Sequence, residues 1–266
     1  MLSRTEIDTA ASDLLEAERS RRQIGLLTLR HPEMTLDDAY GIQSAQMALK
    51  LAQGRRIIGW KIGLTSKAMQ DALGIATPDS GVLYDDMLFH DGARVPAGRF
   101  IQPRIEAEIA FVMKAPLKGK VTRDEVLAAT GHVTPALEIL DTRILRADPV
   151  TGQARRICDT VSDNAANAGI VLGPARHAPG ALDLRWVGAI VTSGDQVVAT
   201  GLGAAVLNDP VTGLVWLAHR MAEYGQRIEA GQVVLSGSFI GPVECPPGTR
   251  IHADFGPFGS IGVTFD

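Results

Sequence analysis

Arg104 to Val112 is an apolar, strand-like run into which two acids, Glu106 and Glu108, are set. A strand sends alternate side chains to opposite faces, so both carboxylates point the same way, about 7 Å apart along the backbone. Ile105, Ala107, Ile109 and Phe111 point the other way. Any fold built on this strand must leave the acid-bearing face wet, as antiparallel sheets often do, or bury it. Buried like charges raise each other's pKa until one carboxyl holds a proton, or they take a cation between them. A third acid of the same kind, Glu138, stands among hydrophobes in the run Val133 to Leu140. Three carboxylates with no Cys or His beside them suit a hard, oxygen-preferring ion, Mg²⁺ or Mn²⁺.

The rest of the chain sets the frame for that strand. Ile7, Ala10, Ala11, Leu14, Leu15 and Ala17 are spaced for one face of a helix. Thr35 caps a second helix, with Asp37 and Asp38 in its positive first turn and Gly54 near its stop; Gln43 interrupts its apolar side. Ile57 to Leu64 reads as a buried strand, followed by Thr65-Ser66 as the cap of a short helix ending at Gly74. Lys61 lies inside that strand, where it either snorkels to the surface or is held in a site. Beyond it come short β-like segments divided by Gly and Pro: 81–89, 169–173, 184–192, 196–200, 232–236, 250–254 and 260–265. One helix, about Pro210 to Tyr224 with Asn208-Asp209 as its cap, interrupts them. The pattern predicts an α+β protein: a helical N-terminal region over 1–75 and a mainly β body over 76–266, with Lys61 near the end of the first.

Net charge is −4 and charged residues make up 21% of 266, without the basic excess a nucleic-acid binder needs. The N-terminus lacks the apolar core of a signal peptide, and nowhere do eighteen apolar residues run together, which argues against export and against a membrane span. Cys158 and Cys245 are too few for a disulfide scaffold, which makes a reducing cytoplasm the simpler expectation. Gly201 to Val206 carries two of the three glycines of a dinucleotide fingerprint and lacks the strand-to-helix context. The six His residues are scattered singly, and no motif ties an acid or a His to Ser236 or Ser238, so a turn or backbone role fits those serines better.

Five stretches together resemble a known family. They are Gly59 to Ser66, Thr77 to Gly81, Pro103 to Glu108, Pro135 to Asp141 and Val161 to Gly169. In this order they are similar to the 2-oxo-acid hydratase and 4-oxalocrotonate decarboxylase family, within the fumarylacetoacetate hydrolase superfamily. The likeness runs essentially from end to end. Asp85 to Gly92 and Asp159 to Asn167 favour a hydratase branch acting on a seven-carbon 2-oxo diacid, 2-oxohept-3-ene-1,7-dioate, in homoprotocatechuate meta-cleavage.

The resemblance implies a fumarylacetoacetate hydrolase-like mixed β-sandwich or roll, and a divalent-metal-dependent hydro-lyase that adds water at C4. It implies Glu106, Glu108 and Glu138 as ligands of Mg²⁺ or Mn²⁺, Lys61 and Asp79 as catalytic residues, and Ser162 on the substrate side of the pocket. The distal carboxylate of a diacid needs a cation of its own. Lys67 is one candidate and Arg143 another. The alternatives are a 2-hydroxypenta-2,4-dienoate hydratase, a 4-oxalocrotonate decarboxylase, or a noncatalytic partner subunit of a decarboxylase. The family also implies a homo-oligomer, a pentamer or decamer, with a small-molecule substrate and no nucleic-acid partner.

Overall fold

The computed structural model describes residues 1–66, 70 and 77–266, and its N-terminal part is assembled from capped helices. In α1 (Arg4–Ser20), the Ser3 hydroxyl accepts from the Glu6 amide and the Glu6 carboxylate accepts from Ser3 in return. After the single turn of α2 (Leu27–Arg30), α3 (Leu36–Ala52) is capped in the same way by Thr35 and Asp38. Two helices that the apolar periodicity did not reveal follow, α4 (Arg123–Ala129) and α5 (Ile157–Ser162). Thr122 and Glu125 form a capping box for the first of these, so its start was signalled by side chains rather than by an apolar stripe. The last helix, α6 (Pro210–Glu223), is capped by Asp209, as its sequence predicts.

The strands are β1 (Ile57–Gly63), β2 (Asp79–Tyr84), β3 (Leu88–His90), β4 (Ala93–Val95), β5 (Arg104–Met113), β6 (Thr130–Leu140), β7 (Asn167–Leu172), β8 (Gly188–Ser193), β9 (Gln196–Leu202), β10 (Val233–Leu235), β11 (Val243–Glu244), β12 (Arg250–Asp254) and β13 (Ser260–Phe265). The segment expected as a strand from Leu184 opens instead with a 3-10 turn, Leu184–Trp186, because the Asp183 carboxylate accepts from the Arg185 amide and curls the chain. The short helix expected up to Gly74 lies outside the described residues.

The larger sheet runs β2-β1-β10-β5-β6-β7-β3, with β11 also pairing with β5; the smaller runs β4-β13-β12-β8-β9. Pairing is mixed: β1 with β10, β3 with β7 and β4 with β13 are parallel, and the other pairs are antiparallel. Together with the N-terminal helices this is the α+β, two-sheet architecture expected from the sequence. One face of the larger sheet carries Ile105, Ala107, Ile109, Phe111, Leu137 and Ile139, all in a continuous core with Val191, Ala253, Ile261 and Val263 of the smaller sheet and Leu214 and Leu217 of α6. Leu14, Leu27, Ile42, Ile144 and Val161 make a separate core that binds α1 and α3 to α5. Gln43, the polar break in α3, is buried; its amide donates to the Ser80 carbonyl at 2.8 Å and the Val161 carbonyl at 3.0 Å. It ties the helical layer to the first residues of β2. The opposite face of the larger sheet holds the acids.

Candidate active site

Strand alternation fixes half of the site and strand register the other half. Glu106 and Glu108 share a face of β5, and the antiparallel pairing of β5 with β6 sets Glu138 directly across from Glu106. Each of the three offers a carboxylate oxygen within 4.8 Å of the others. On the same face, β10 carries Leu235 between Ala110 of β5 and Lys61 of β1, which brings the lysine over the acids. Its Nζ lies 3.5 Å from Glu138 Oε1 and 4.0 Å from Asp79 Oδ1. These are ion-pair separations, longer than a good hydrogen bond. Asp79, at the start of β2, faces Gly63. A Cβ on Gly63 would stand 2.2 Å from Asp79 Oδ1 and 2.9 Å from Lys61 Nζ, so the glycine makes the room in which that pair sits.

The wet-edge alternative does not hold: Glu108 and Glu138 are completely buried, and only Glu106 is partly open. Glu108 Oε2 accepts from the backbone N–H of Gly237 at 2.8 Å. Gly237 has φ +115°, and a Cβ there would meet the Thr65 side chain at 2.3 Å, so the Ser236-Gly237-Ser238 segment serves as a backbone donor, as its sequence suggested. The remaining acceptors are orphaned. Glu108 Oε1, both oxygens of Glu138 and Asp79 Oδ1 are buried without a hydrogen-bond partner among the described residues. Burial, together with the neighbouring Glu138, pushes the Glu106 carboxyl up to about 8. Burial and the same neighbour raise Glu108 well above the carboxylate range, and burial raises Glu138 and Asp79 against the pull of Lys61. Lys61 is buried too, which would lower its pKa, but Glu138, Asp79 and the other acids outweigh this and hold it above its ordinary value.

An isolated excess of buried negative charge is costly unless a cation joins it. The donor set here, three carboxylates with unsatisfied oxygens, fits a hard divalent ion. Of the other residues singled out in the sequence, Ser162 closes α5, fully buried, with its carbonyl held by Gln46 and its hydroxyl unpartnered among the described residues. Lys67 lies outside the described residues. Arg143 is committed elsewhere: buried, it ion-pairs with Asp163 and donates to the carbonyls of Asp163 and Asn167. Sequence reasoning missed Gly63 and Gly237 as shapers of the site. Their signal was a glycine within or next to a run that otherwise reads as buried strand.

No protein-family model matches the chain. It is 48% identical over 256 residues to 2-oxo-hept-4-ene-1,7-dioate hydratase of Escherichia coli, covering 96% of each protein. Among solved structures, it superposes with a TM-score of 0.93 and 34% identity on 4-oxalocrotonate decarboxylase from Pseudomonas putida G7, complexed with magnesium and adipate, covering 100% of this chain and 99% of that one. A fumarylpyruvate hydrolase from Pseudomonas aeruginosa, in complex with Mn²⁺ and pyruvate, shares the fold alone, with a TM-score of 0.59 and 12% identity over 79% of this chain and 88% of that one.

Proposed function

The chain belongs to the 2-oxo-acid hydratase and 4-oxalocrotonate decarboxylase family of the fumarylacetoacetate hydrolase superfamily, and from that premise we propose that it adds water to C4 of 2-oxohept-3-ene-1,7-dioate. The product is 4-hydroxy-2-oxoheptanedioate, and the setting is homoprotocatechuate meta-cleavage. The 4-ene in the name of the E. coli relative and the 3-ene interconvert through one 2-hydroxy-2,4-diene; only the 3-ene places C4 in conjugation with the C2 carbonyl, where water can attack it. The observation that carries the reading is the convergence of the Glu106, Glu108 and Glu138 carboxylates within 4.8 Å, bordered by Lys61 and Asp79.

Glu106, Glu108 and Glu138 would hold Mg²⁺ or Mn²⁺, which when bound supplies a Lewis acid for the negative charge that develops on the 2-oxo acid. Lys61 stays an ammonium in its acidic surroundings, so it can donate to the anionic enolate oxygen. Asp79, buried and with its proton affinity raised, orients the attacking water and takes its proton. A proton returned to C3 completes the addition. Ser162 supplies a buried hydroxyl on the substrate side.

We place the enzyme in the cytoplasm; Cys158 and Cys245 are buried free thiols, which suits a reducing compartment. Among the described residues no helix is long and apolar enough to cross a membrane. Association into a homo-oligomer, which the family resemblance suggests is a pentamer or decamer, would cover apolar side chains on the outside of the smaller sheet: Ile190, Val197, Val198 and Leu202 of β8 and β9 are exposed, with Trp186 beside them 74% exposed.

The deciding experiment gives Mg²⁺-loaded protein 2-hydroxyhepta-2,4-diene-1,7-dioate and, separately, 2-hydroxypenta-2,4-dienoate, following loss of dienol absorbance and product mass. A water adduct of the seven-carbon diacid, abolished by EDTA, is expected. Preference for the five-carbon acid, release of CO₂, or metal binding with no turnover would replace this reading with the shorter-chain hydratase, the decarboxylase or the noncatalytic subunit, respectively.

A further inference from the structure

Arg104 precedes Glu106 by two residues on β5, so its side chain leaves the same face of the strand, about 7 Å further along. Its pairing partner on β11 is Glu244, but that carboxylate is taken by Arg146, whose Nη1 donates to Glu244 Oε1 at 2.6 Å. Arg146 in turn begins a short hairpin. The Arg155 amide donates to the Arg146 carbonyl at 3.0 Å and Ala147 bridges Ala154, so Arg146 and Arg155 sit opposite one another with their side chains on one side. Three guanidinium groups thus gather at this end of β5, and the only carboxylate in ion-pair contact with any of them among the described residues is Glu244.

Their donors are underused. Arg104 Nε and Arg155 Nη1 are buried and have no hydrogen-bond partner, and neither side chain makes an ion pair among the described residues. The crowding is felt: burial, then the nearby Arg146, lowers the pKa of Arg104. Burial also lowers that of Arg155, which lies near enough to Asp79 to hold its carboxyl down in part. Both side chains are half-buried, and a buried N–H donor left empty on such a guanidinium costs free energy until an anion fills it; its planar fork matches a carboxylate.

We propose that Arg104 and Arg155 form the subsite for the distal carboxylate of the substrate, and so select a 2-oxo diacid over a 2-oxo monoacid. The inference rests on the hydratase reading above for the identity of the diacid. The reach agrees: five C–C bonds of about 1.5 Å separate C2 from C7, an extended span of roughly 6 Å, comparable to the step from Glu106 to Arg104. Arg146 is the supporting member, since its pairing with Glu244 keeps that carboxylate off Arg104. The Arg143 guanidinium, engaged by Asp163 and the Asn167 carbonyl, takes no part.

The test is calorimetric binding of two saturated analogues, 2-oxoheptanedioate and 2-oxoheptanoate, to the Mn²⁺-loaded protein. They differ only in the distal carboxylate. The natural sequence should favour the diacid by about 10- to 100-fold, the scale of a charge-assisted, bidentate contact. In Arg104→Met and Arg155→Met that preference should collapse toward unity, with Arg104→Lys keeping part of it. No preference in the natural sequence, or a preference that survives both Met variants, overturns the proposal. Because the comparison between analogues in the unaltered protein is itself decisive, a variant that fails to fold does not protect the idea. Diacid preference without turnover of the seven-carbon dienol would instead discard the hydratase reading and leave the arginine subsite standing.

Discussion

Two clusters of buried charge, one in the helical layer and one on the larger sheet, are built on opposite plans. In the helical layer Glu18 meets Lys50 at 2.6 Å and Arg55 at 2.9 Å, so one acid answers two bases. Burial works against the Glu18 carboxyl, yet Lys50 and the other bases overrule it and hold it down at about 2. Among the acids of the larger sheet the balance is reversed. Three glutamates and Asp79 face one lysine, and their pKa values rise instead of falling. The first cluster is complete within the chain and holds α1 to α3. The second is incomplete, and its deficit of positive charge is what a bound ion would supply.

The strongest way to break this comparison is Glu138→Gln. Losing one of the three carboxylates proposed to hold the ion should abolish Mn²⁺ binding in calorimetry and turnover with it, a fall of three orders of magnitude or more, while the metal-free protein should melt higher, because one buried like charge has gone. A lower melting temperature in the metal-free variant would mean that the acids are satisfied within the protein after all. Lys61→Met is the next largest. Turnover should drop by roughly 10²-fold or more, the scale of a lost acid-base group, with Mn²⁺ affinity within a few-fold of the unaltered protein; undiminished turnover would end the proposed role of Lys61.

The smallest catalytic effect belongs to the compensated cluster. Glu18→Gln should leave kcat within about threefold but cost about 3 kcal/mol of stability, because it strands Lys50, which is only 2% exposed. Burial pulls Lys50 the other way, lowering its pKa, so the intact pair is worth less than the depressed Glu18 alone suggests, although breaking it is expensive. The sign in pH follows from a carboxyl whose folded pKa, about 2, lies below its ordinary 4.5. Its contribution is full above pH 4.5 and is lost as pH falls toward 2. The stability gap between the unaltered protein and Glu18→Gln, measured by denaturant unfolding, should therefore be flat from pH 5 to 7 and narrow below pH 4.5. A gap that widened on acidification would reverse the assignment.

Much of the site was written in local pattern. Period two in residues 104 to 112 placed Glu106 and Glu108 on one face, and the same alternation already included Arg104, although nothing in the sequence marked that arginine as unpaired. Apolar spacing located α1 and capping residues located α3 and α6, whereas α5 offered neither an apolar stripe nor a hydroxyl cap, and it emerged only where its buried side packs on α1 and α3. The polar break at Gln43 looked like noise on an apolar face until β2 and α5 supplied its acceptors.

Taken alone, then, the sequence determined which side of β5 its acids occupy, what kind of ion three carboxylates prefer, and where α3 and α6 begin, since each follows from contacts within a few residues. The tertiary structure decided that Glu138 stands across from Glu106, that Lys61 reaches it from β1, and that Arg104 and Arg155 converge while Arg143 is consumed by Asp163. These depend on strand register and on which partner satisfies each buried charge. Both are set by the packing of segments far apart in the chain, where a shift of one residue would turn every acid into the core.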